Sequence, residues 1–532
     1  MNIWLASQHK EYVNLIDYEK TIKFIRPDQK EDDTPVTYVS MQPKVKHVEG
    51  RLDRRVRACL GGNLDVGITG ERTSPVATMS QCKILANSVI SDPKSFWMSL
   101  DLKNFFLKTK LEKKAYFRTH ISKVPKKTVE MYNLSSLADS RGFLLAEVSG
   151  GMYGHPQAGK FAYEGLRAHL AQNGFHSKDE TPCIFANADY SIVFAVIVDD
   201  FAVKVRSKED GKLLINILEK KYEVKVDWSG RFYNGVEWVF QYEGQRSLKI
   251  CMPGYIKSVL KRFACTDIPG VHTPAIATVV KYSHESQMMA PDEEPILLDE
   301  DDKTTQQEIV GVLLWYARVI HYAALLAVSE AASCGHTKTK ADRTRRLLAY
   351  FKQYPDAHVV FYPSDMILTA MCDASFASLP DGRSRGGICY SLRCVNEIEG
   401  RVNGMIECIC KPIKLVLTSA AESEYVTVFY TAEGAIPHTQ SLEAIGHKQP
   451  ATLIRTDNRV AVGIANKTMQ IKRSRTINTK FHWIRERVGA GQFIVEWVAG
   501  EDNIADAFTK PLPRARFWKF CRLLNWFPKL NI

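Results

Sequence analysis

The stretch Ser191–Phe201, SIVFAVIVDDF, constrains the fold of this chain more than any other. Its apolar run is rich in Val and Ile and only strand-length, so it predicts a buried β-strand. The run ends in two adjacent carboxylates, Asp199 and Asp200. Like charges side by side resist burial, so the pair demands compensation. A tight turn at a sheet edge and a divalent cation would supply it. In a hairpin the two acids alternate faces, one inward and one outward. An isolated Asp-Asp pair also reads as a polar turn closing a hairpin. The metal reading requires a third carboxylate, on another strand ending at the same place.

At 532 residues the chain is too long for one core and predicts two to four domains. A net charge of +12 favours a polyanionic partner, nucleic acid first. The twelve Cys include no CxxC pair, so neither a zinc site nor a disulfide framework is indicated, and a reducing compartment is expected. The N-terminal MNIWLASQHKEY lacks the apolar core of a secretory signal. The longest apolar segment, Ile309–Val328, carries Arg318 and His321 near its middle. A central Arg is costly in a bilayer, so this reads as a buried helix and no membrane association is expected.

In chain order, LASQHKEYVNLI predicts a helix and PDQKEDDTP a loop. Lys44, Lys46, Arg51, Arg54, Arg55 and Arg57 stud a hairpin that turns at Glu49-Gly50. Such a run is either a solvated face or a phosphate contact. A helix follows over 77–92, then a strand from Trp97 to Leu102 with Asp101 near its end. Asp101 is the candidate third carboxylate. Strand 143–148 leads into Gly150-Gly151-Met152-Tyr153-Gly154-His155-Pro156-Gln157, a glycine-rich loop that opens a helix over Phe161–Gln172. Such a loop lets backbone approach a ligand, although any strand-to-helix turn looks similar. Beyond the hairpin come a helix from Leu213, a β-meander over 232–252 and a helix over 253–263. The acid-dense tract 283–303 reads as a linker, followed by helices over 306–334 and 337–354.

From Ile367 the pattern becomes a compact α/β unit. Asp373 ends its first strand, Glu422 and Glu424 open a helix, Asp457 ends a later strand and Asp506 opens a final helix. Any one of these acids alone reads as a cap or solvated turn. As a converging set they need cations, and metal-assisted hydrolysis of a phosphodiester is the natural chemistry. Asp101, Asp199 and Asp200 likewise suit Mg²⁺, a hard ion preferring carboxylate, phosphate and water oxygens. Two-metal sites hold their ions about 3.5–4 Å apart to clamp the attacking and leaving oxygens of nucleotidyl transfer.

The words around these acids carry a resemblance. They are RRVRACLGG, TSPV, LDLKNFFLKTKLEKKAYF, GGMYGHPQAGKFAYEGLRAHLAQNGF, DETPCIFAN and VIVDDF, then IVGVLLWYAR, MCDASFA, GRSRGG, SAAESEY, IRTDN, FHWIRERV and DNIADAFTKPL. In this order, over residues 40–520, the chain resembles the reverse transcriptase–ribonuclease H portion of Ty1/copia-type retrotransposon polyproteins. The resemblance implies a multidomain α+β and α/β fold. Residues 1–265 would form the fingers, palm and thumb of a right-hand polymerase, 266–365 an acidic linker and helical connection, and 366–532 a ribonuclease H-like α/β domain.

It implies that Asp101, Asp199 and Asp200 hold the polymerase metals. Phe106 would be a steric gate against a 2′-OH, Arg57 the fingers cation on the triphosphate, and Gln157 a contact near nucleotide and template. In the nuclease Asp373, Asp457 and Asp506 match metal ligands, and Glu424 aligns better than Glu422. The implied activity is RNA-directed DNA synthesis with hydrolysis of RNA in hybrids, using two Mg²⁺ per active site, with Mn²⁺ as substitute. The implied partners are RNA template, DNA primer, RNA–DNA hybrid, dNTPs and other products of the polyprotein. The implied setting is a cytoplasmic retroelement particle, with the nucleus as the alternative. Ile197 stands where the family has Tyr, Pro156 where it has Lys, Gly159 where it has Pro, and Arg318–His321 where it has Thr-Arg-Pro-Asp. Every metal-ligand position stays acidic. The rival reading is a catalytically inactive nucleic-acid-binding remnant of a retroelement.

Overall fold

The computed structural model describes residues 3–30, 33–48, 51–64, 70–276, 296–333, 337–379, 382–394, 402–469 and 478–525. Helix α1 (Ile3–Val13) runs into a wide turn and strand β1 (Ile22–Ile25). Strands β2 (Val36–Val48) and β3 (Arg51–Leu60) form the basic hairpin, whose Glu49-Gly50 turn lies outside the described residues. Helix α2 (Met79–Ser91) opens with a reciprocal cap between Thr78 and Gln81. It is followed by β4 (Phe96–Lys103), β5 (Lys110–His120), a short α3 (Lys126–Met131) and β6 (Phe143–Gly150). Strands β1, β6, β5, β2 and β3 make one sheet in that order. Its core, with Tyr12, Leu15, Phe24, Phe117 and Leu144, is separate from the main one.

The next segment contains α4 (Ala158–Gln172), β7 (His176–Lys178), β8 (Thr181–Ala186), β9 (Ile192–Ile197), β10 (Asp200–Val205), α5 (Lys208–Glu219) and β11 (Glu223–Asp227). Together with β4 these strands build a six-stranded antiparallel sheet in the order β11-β4-β10-β9-β8-β7. The predicted apolar run of β9 is wholly buried from Ile192 to Val196. Below it lie β12 (Phe232–Tyr233), β13 (Val236–Gln241), β14 (Ser247–Cys251) and α6 (Tyr255–Arg262). Trp97 of β4 stacks on Trp238 and Phe240 at centroid distances of 5.4 and 5.3 Å.

Two expectations change in the connection. The acidic tract is described only from residue 296, and there Asp299 caps helix α7 (Glu300–Val319), so 300–303 are helix rather than linker. The helix expected over 306–334 is two helices, α7 and α8 (Leu325–Ala332), separated at His321 and a 3₁₀ turn. The break follows from burial: His321 sits among Tyr316, Tyr350 and Phe351, and Asn525 caps the freed Ile320 carbonyl from far along the chain. Among the described residues no helix is long and apolar enough to cross a membrane. Helix α9 (Lys338–Gln353) then leads to β15 (His358–Phe361), which pairs antiparallel with β14.

Only Tyr362 and Pro363 separate β15 from β16 (Ser364–Ser375). The remaining elements are β17 (Arg385–Cys394), β18 (Met405–Pro412), α10 (Ala420–Ala444), β19 (Thr452–Thr456), α11 (Arg459–Ala465), α12 (Asn478–Gly489), β20 (Phe493–Trp497) and α13 (Arg514–Leu524). The sheet order is β18-β17-β16-β19-β20, with β16, β19 and β20 parallel and the rest antiparallel. The helix expected to start near Asp506 is instead a 3₁₀ turn, Ile504–Phe508, and α13 begins after Pro513. Asn503 caps that turn and its amide donates to the Cys372 carbonyl at 3.0 Å, which pins it to β16. A contiguous apolar core runs from the six-stranded sheet through α7 and α9 into this last sheet.

Candidate active sites

The first site forms where β9 turns into β10. Val198 occupies the turn at φ 62°, a region that β-branched residues avoid. Across the sheet Asp200 is the register partner of Asp101, and Asp101 is in turn opposite Lys225 on β11. Directly opposed residues share a face, so the two acids and the lysine line one side of the sheet. The Asp199 carbonyl accepts the Leu102 N–H at 2.9 Å, which brings the Asp199 backbone to the end of β4, although the three carboxylates are not gathered within 4.8 Å of one another.

Above the acids, the glycine-rich loop is clamped between two backbones. A Cβ on Gly151 would lie 2.4 Å from the Phe106 carbonyl, and one on Gly154, at φ 85°, would lie 2.2 Å from that of Leu60. Only glycine permits both approaches. Tyr153, between them, organises the wall. The Arg57 guanidinium lies over its ring at 4.6 Å and the Phe106 ring meets it edge-on at 5.8 Å. Burial raises the Tyr153 pKa, with Arg57 opposing and Asp199 reinforcing, so the phenol stands within reach of both charges. Gln157 precedes α4, its amide donating to the Glu71 carbonyl at 3.2 Å. Arg57 and Phe106 therefore meet through Tyr153 close to the acids. Tyr153 and Lys225 were not singled out from sequence; the Tyr153 signal was its place inside the glycine loop.

The second site lies at the carboxyl ends of β16 and β19, the edge where parallel strands of α/β sheets present ligands. Ligand oxygens of Asp373, Asp457 and Asp506 all fall within 4.8 Å of one another. Asp373 and Asp506 are 2% and 1% exposed. Glu424, on α10, faces the same edge: its carboxylate accepts from the Thr456 hydroxyl at 3.5 Å. Burial, then Asp373 and Asp457, push its pKa well up. Burial and Asp506 raise Asp373 to about 8, against the pull of Lys510 and Thr509. Asp457 is raised by burial and Asp506. Glu422 is employed otherwise. Its carboxylate accepts both the backbone N–H and the hydroxyl of Thr418 at 2.7 Å, closing the start of α10. Glu424 thus lies within electrostatic reach of Asp373 and Asp457 but outside the 4.8 Å set of the three aspartates, while Glu422 is hydrogen-bonded to Thr418.

Two cations attend this site. Lys510 reaches Asp506 Oδ1 at 2.7 Å, and Arg516 pairs with the other oxygen while donating to the Gly500 carbonyl at 2.9 Å. Burial works against the Lys510 ammonium, yet Asp373, Asp506 and Asp457 together hold its pKa above the usual lysine value. The glycine word GRSRGG also finds its reason. Gly387 is opposite Asp373, and a Cβ there would lie 2.8 Å from atoms of Ala505, Phe508 and Thr509. The turn carrying Asp506 rests on that glycine. A buried, all-oxygen donor set whose carboxyls resist ionisation fits a hard divalent cation such as Mg²⁺ or Mn²⁺.

The fold is multidomain, α+β and α/β, with four sheets among the described residues. Residues 61–277 match the family described as reverse transcriptase (RNA-dependent DNA polymerase). The Gag-Pol polyproteins of transposons Ty1-LR2 and Ty1-GR2 of Saccharomyces cerevisiae are 23% identical over 381 residues and 24% over 385. In each case the match covers 69% of this chain and 21% of the polyprotein. The foamy viral protease-reverse transcriptase, solved in complex with double-stranded DNA, superposes with a TM-score of 0.51 at 10% identity, over 93% of this chain and 70% of that one. At that identity the likeness bears on fold alone. These matches make the chain similar to the reverse transcriptase region of Ty1-type retrotransposon polyproteins.

Proposed function

We propose that this chain is an RNA-directed DNA polymerase that also hydrolyses the RNA of RNA–DNA hybrids. The observation that carries the reading is the intactness of both acid sets in one chain: Asp101 opposite Asp200 beside Asp199, and the three aspartates within 4.8 Å. Asp101, Asp199 and Asp200 would hold two divalent ions in the palm, and Asp373, Glu424, Asp457 and Asp506 two in the nuclease. Bound there, the ions would acidify the attacking hydroxyl or water and neutralise charge on the phosphate.

The chain's own residues do the rest. Val198 and the Leu102 bond fix the backbone of the two hairpin acids at the end of β4, the strand of Asp101. Arg57, now stacked on Tyr153, offers a planar fork for the triphosphate of an incoming dNTP. Phe106, wedged between Tyr153 and Gly151, bears on the sugar and disfavours a 2′-OH. Gln157 orients nucleotide and template. Recognition of the hybrid rests on minor-groove shape and 2′-OH contacts, and the net charge of +12 makes binding of RNA template, DNA primer and hybrid weaken with salt. The setting is a retroelement particle in the cytoplasm, alongside other products of the polyprotein.

The test is dNTP incorporation on a primed RNA template with Mg²⁺ or Mn²⁺, beside an Asp199→Ala, Asp200→Ala double variant. Incorporation by the parent, its loss in the variant and persistent hybrid cleavage establish two separate sites. A folded parent that incorporates nothing and cuts nothing, while still binding hybrid, is the inactive remnant.

A further inference from the structure

The nuclease acids do not stand without counter-charge, and the counter-charge is arranged asymmetrically. Arg516 is fixed: it pairs with one oxygen of Asp506, donates to the Gly500 carbonyl, and lies over the Phe520 ring at 5.6 Å. Lys510 differs. It reaches the other oxygen at 2.7 Å on a flexible stem. At 41% its side chain is about as exposed as that of Arg516 at 38%, so the difference lies in the added hydrogen bond and ring contact that hold Arg516. Lysine is a compact point charge on four rotatable carbons, whereas arginine is a planar fork. One cation is therefore built in, and the other can leave toward solvent.

A buried carboxylate set left without compensation would resist ionisation and drive its members apart. A lysine ammonium on Asp506 compensates it before any metal arrives. An ammonium and a divalent ion compete for Asp506 Oδ1, because like charges so close repel. We propose that Lys510 is the resident counter-ion of the nuclease site, released when a divalent ion takes its place, and that it thereby sets the site's metal affinity. This rests on the nuclease reading above. By linkage, any cation that must be expelled weakens the one that replaces it.

The experiment uses the full chain carrying Asp199→Ala and Asp200→Ala, so that metal binding reports the nuclease site. In that background Mn²⁺ binding is measured by calorimetry for Lys510 and for Lys510→Met, an uncharged side chain of similar length. The expected result is Mn²⁺ bound about tenfold more tightly by Lys510→Met, with a lower melting temperature than the parent in EDTA. Equal or weaker Mn²⁺ binding by Lys510→Met, with binding still abolished by Asp373→Asn, overturns the role of Lys510 and leaves the nuclease site standing. No Mn²⁺ binding in any variant overturns the site reading itself. A second readout needs no variant at Lys510. Acetylation of lysines, followed by mass spectrometry, should modify Lys510 faster with Mn²⁺ than in EDTA, and an unchanged or slower rate overturns the proposal.

Discussion

Glu422 and Glu424 stand two positions apart on one helix and have opposite employments. Glu424→Gln is expected to abolish hybrid cleavage while leaving the melting temperature nearly intact. Glu422→Ala should keep cleavage and cost about 1 kcal/mol of stability, the usual worth of a helix-start bond. A cleavage assay beside urea unfolding separates the two, and loss of cleavage in Glu422→Ala with Glu424→Gln active would reverse the assignment. Gly387→Ala is the matching packing test. Its Cβ meets three atoms at 2.8 Å, so overpacking of about 1–3 kcal/mol should fall on the turn holding Asp506. Hybrid cleavage should drop while incorporation persists. The acids were legible because each ends an apolar run or opens a helix, a pattern carried by local sequence. Tyr153, Asn503, Lys510 and Arg516 were not, since their partners are chosen by how distant segments fold together.

Helix α2 shows the same limit for an element. Its apolar positions, among them Cys82, Leu85 and Val89, have helical spacing and predict one buried face. The structure buries the polar face as well: Lys83, Asn87 and Ser88 are at most 1% exposed. Lys83 meets Val319 and Tyr322 of the connection, and the other two meet the C-terminal domain. Asn87 donates to the Tyr362 carbonyl at 2.9 Å and accepts from Ser364, and Ser88 meets His447 at 2.9 Å. A polar stripe reads as a solvated face until its partner is in place. Asn87→Ala removes the acceptor of the buried Ser364 hydroxyl and one of two donors to the Tyr362 carbonyl, and should cost about 1–3 kcal/mol, seen in urea unfolding. The break at His321 adds a pH dependence. Burial lowers its pKa to about 3. Below about 6.5 the unfolded chain takes up a proton that the folded one refuses, so stability falls as pH drops through that range. From pH 7 to 5 the loss is about 2 kcal/mol. His321→Phe should flatten that part of the melting curve, and an unaltered slope would place the effect elsewhere.

At the scale of the whole molecule, Tyr362-Pro363 joins β15 to β16, strands of two different sheets. The helical connection expected over 266–365 does not stand apart from its neighbours. Strand β15 completes a sheet with β14, α10 packs on α2, and one apolar core crosses the junction. Local sequence marks where a domain begins but not what its surface is pressed against. Palm and nuclease should therefore melt in a single calorimetric transition. Two well-separated transitions, one lost on truncation before Ser364, would show independent lobes. The packing of α10 on α2 has a consequence for how the chain tolerates proteases. A nick at the two-residue bridge of Tyr362 and Pro363 would cut the chain but not divide it. The C-terminal fragment would stay seated on α2, and the nicked protein would travel as one particle through a sizing column.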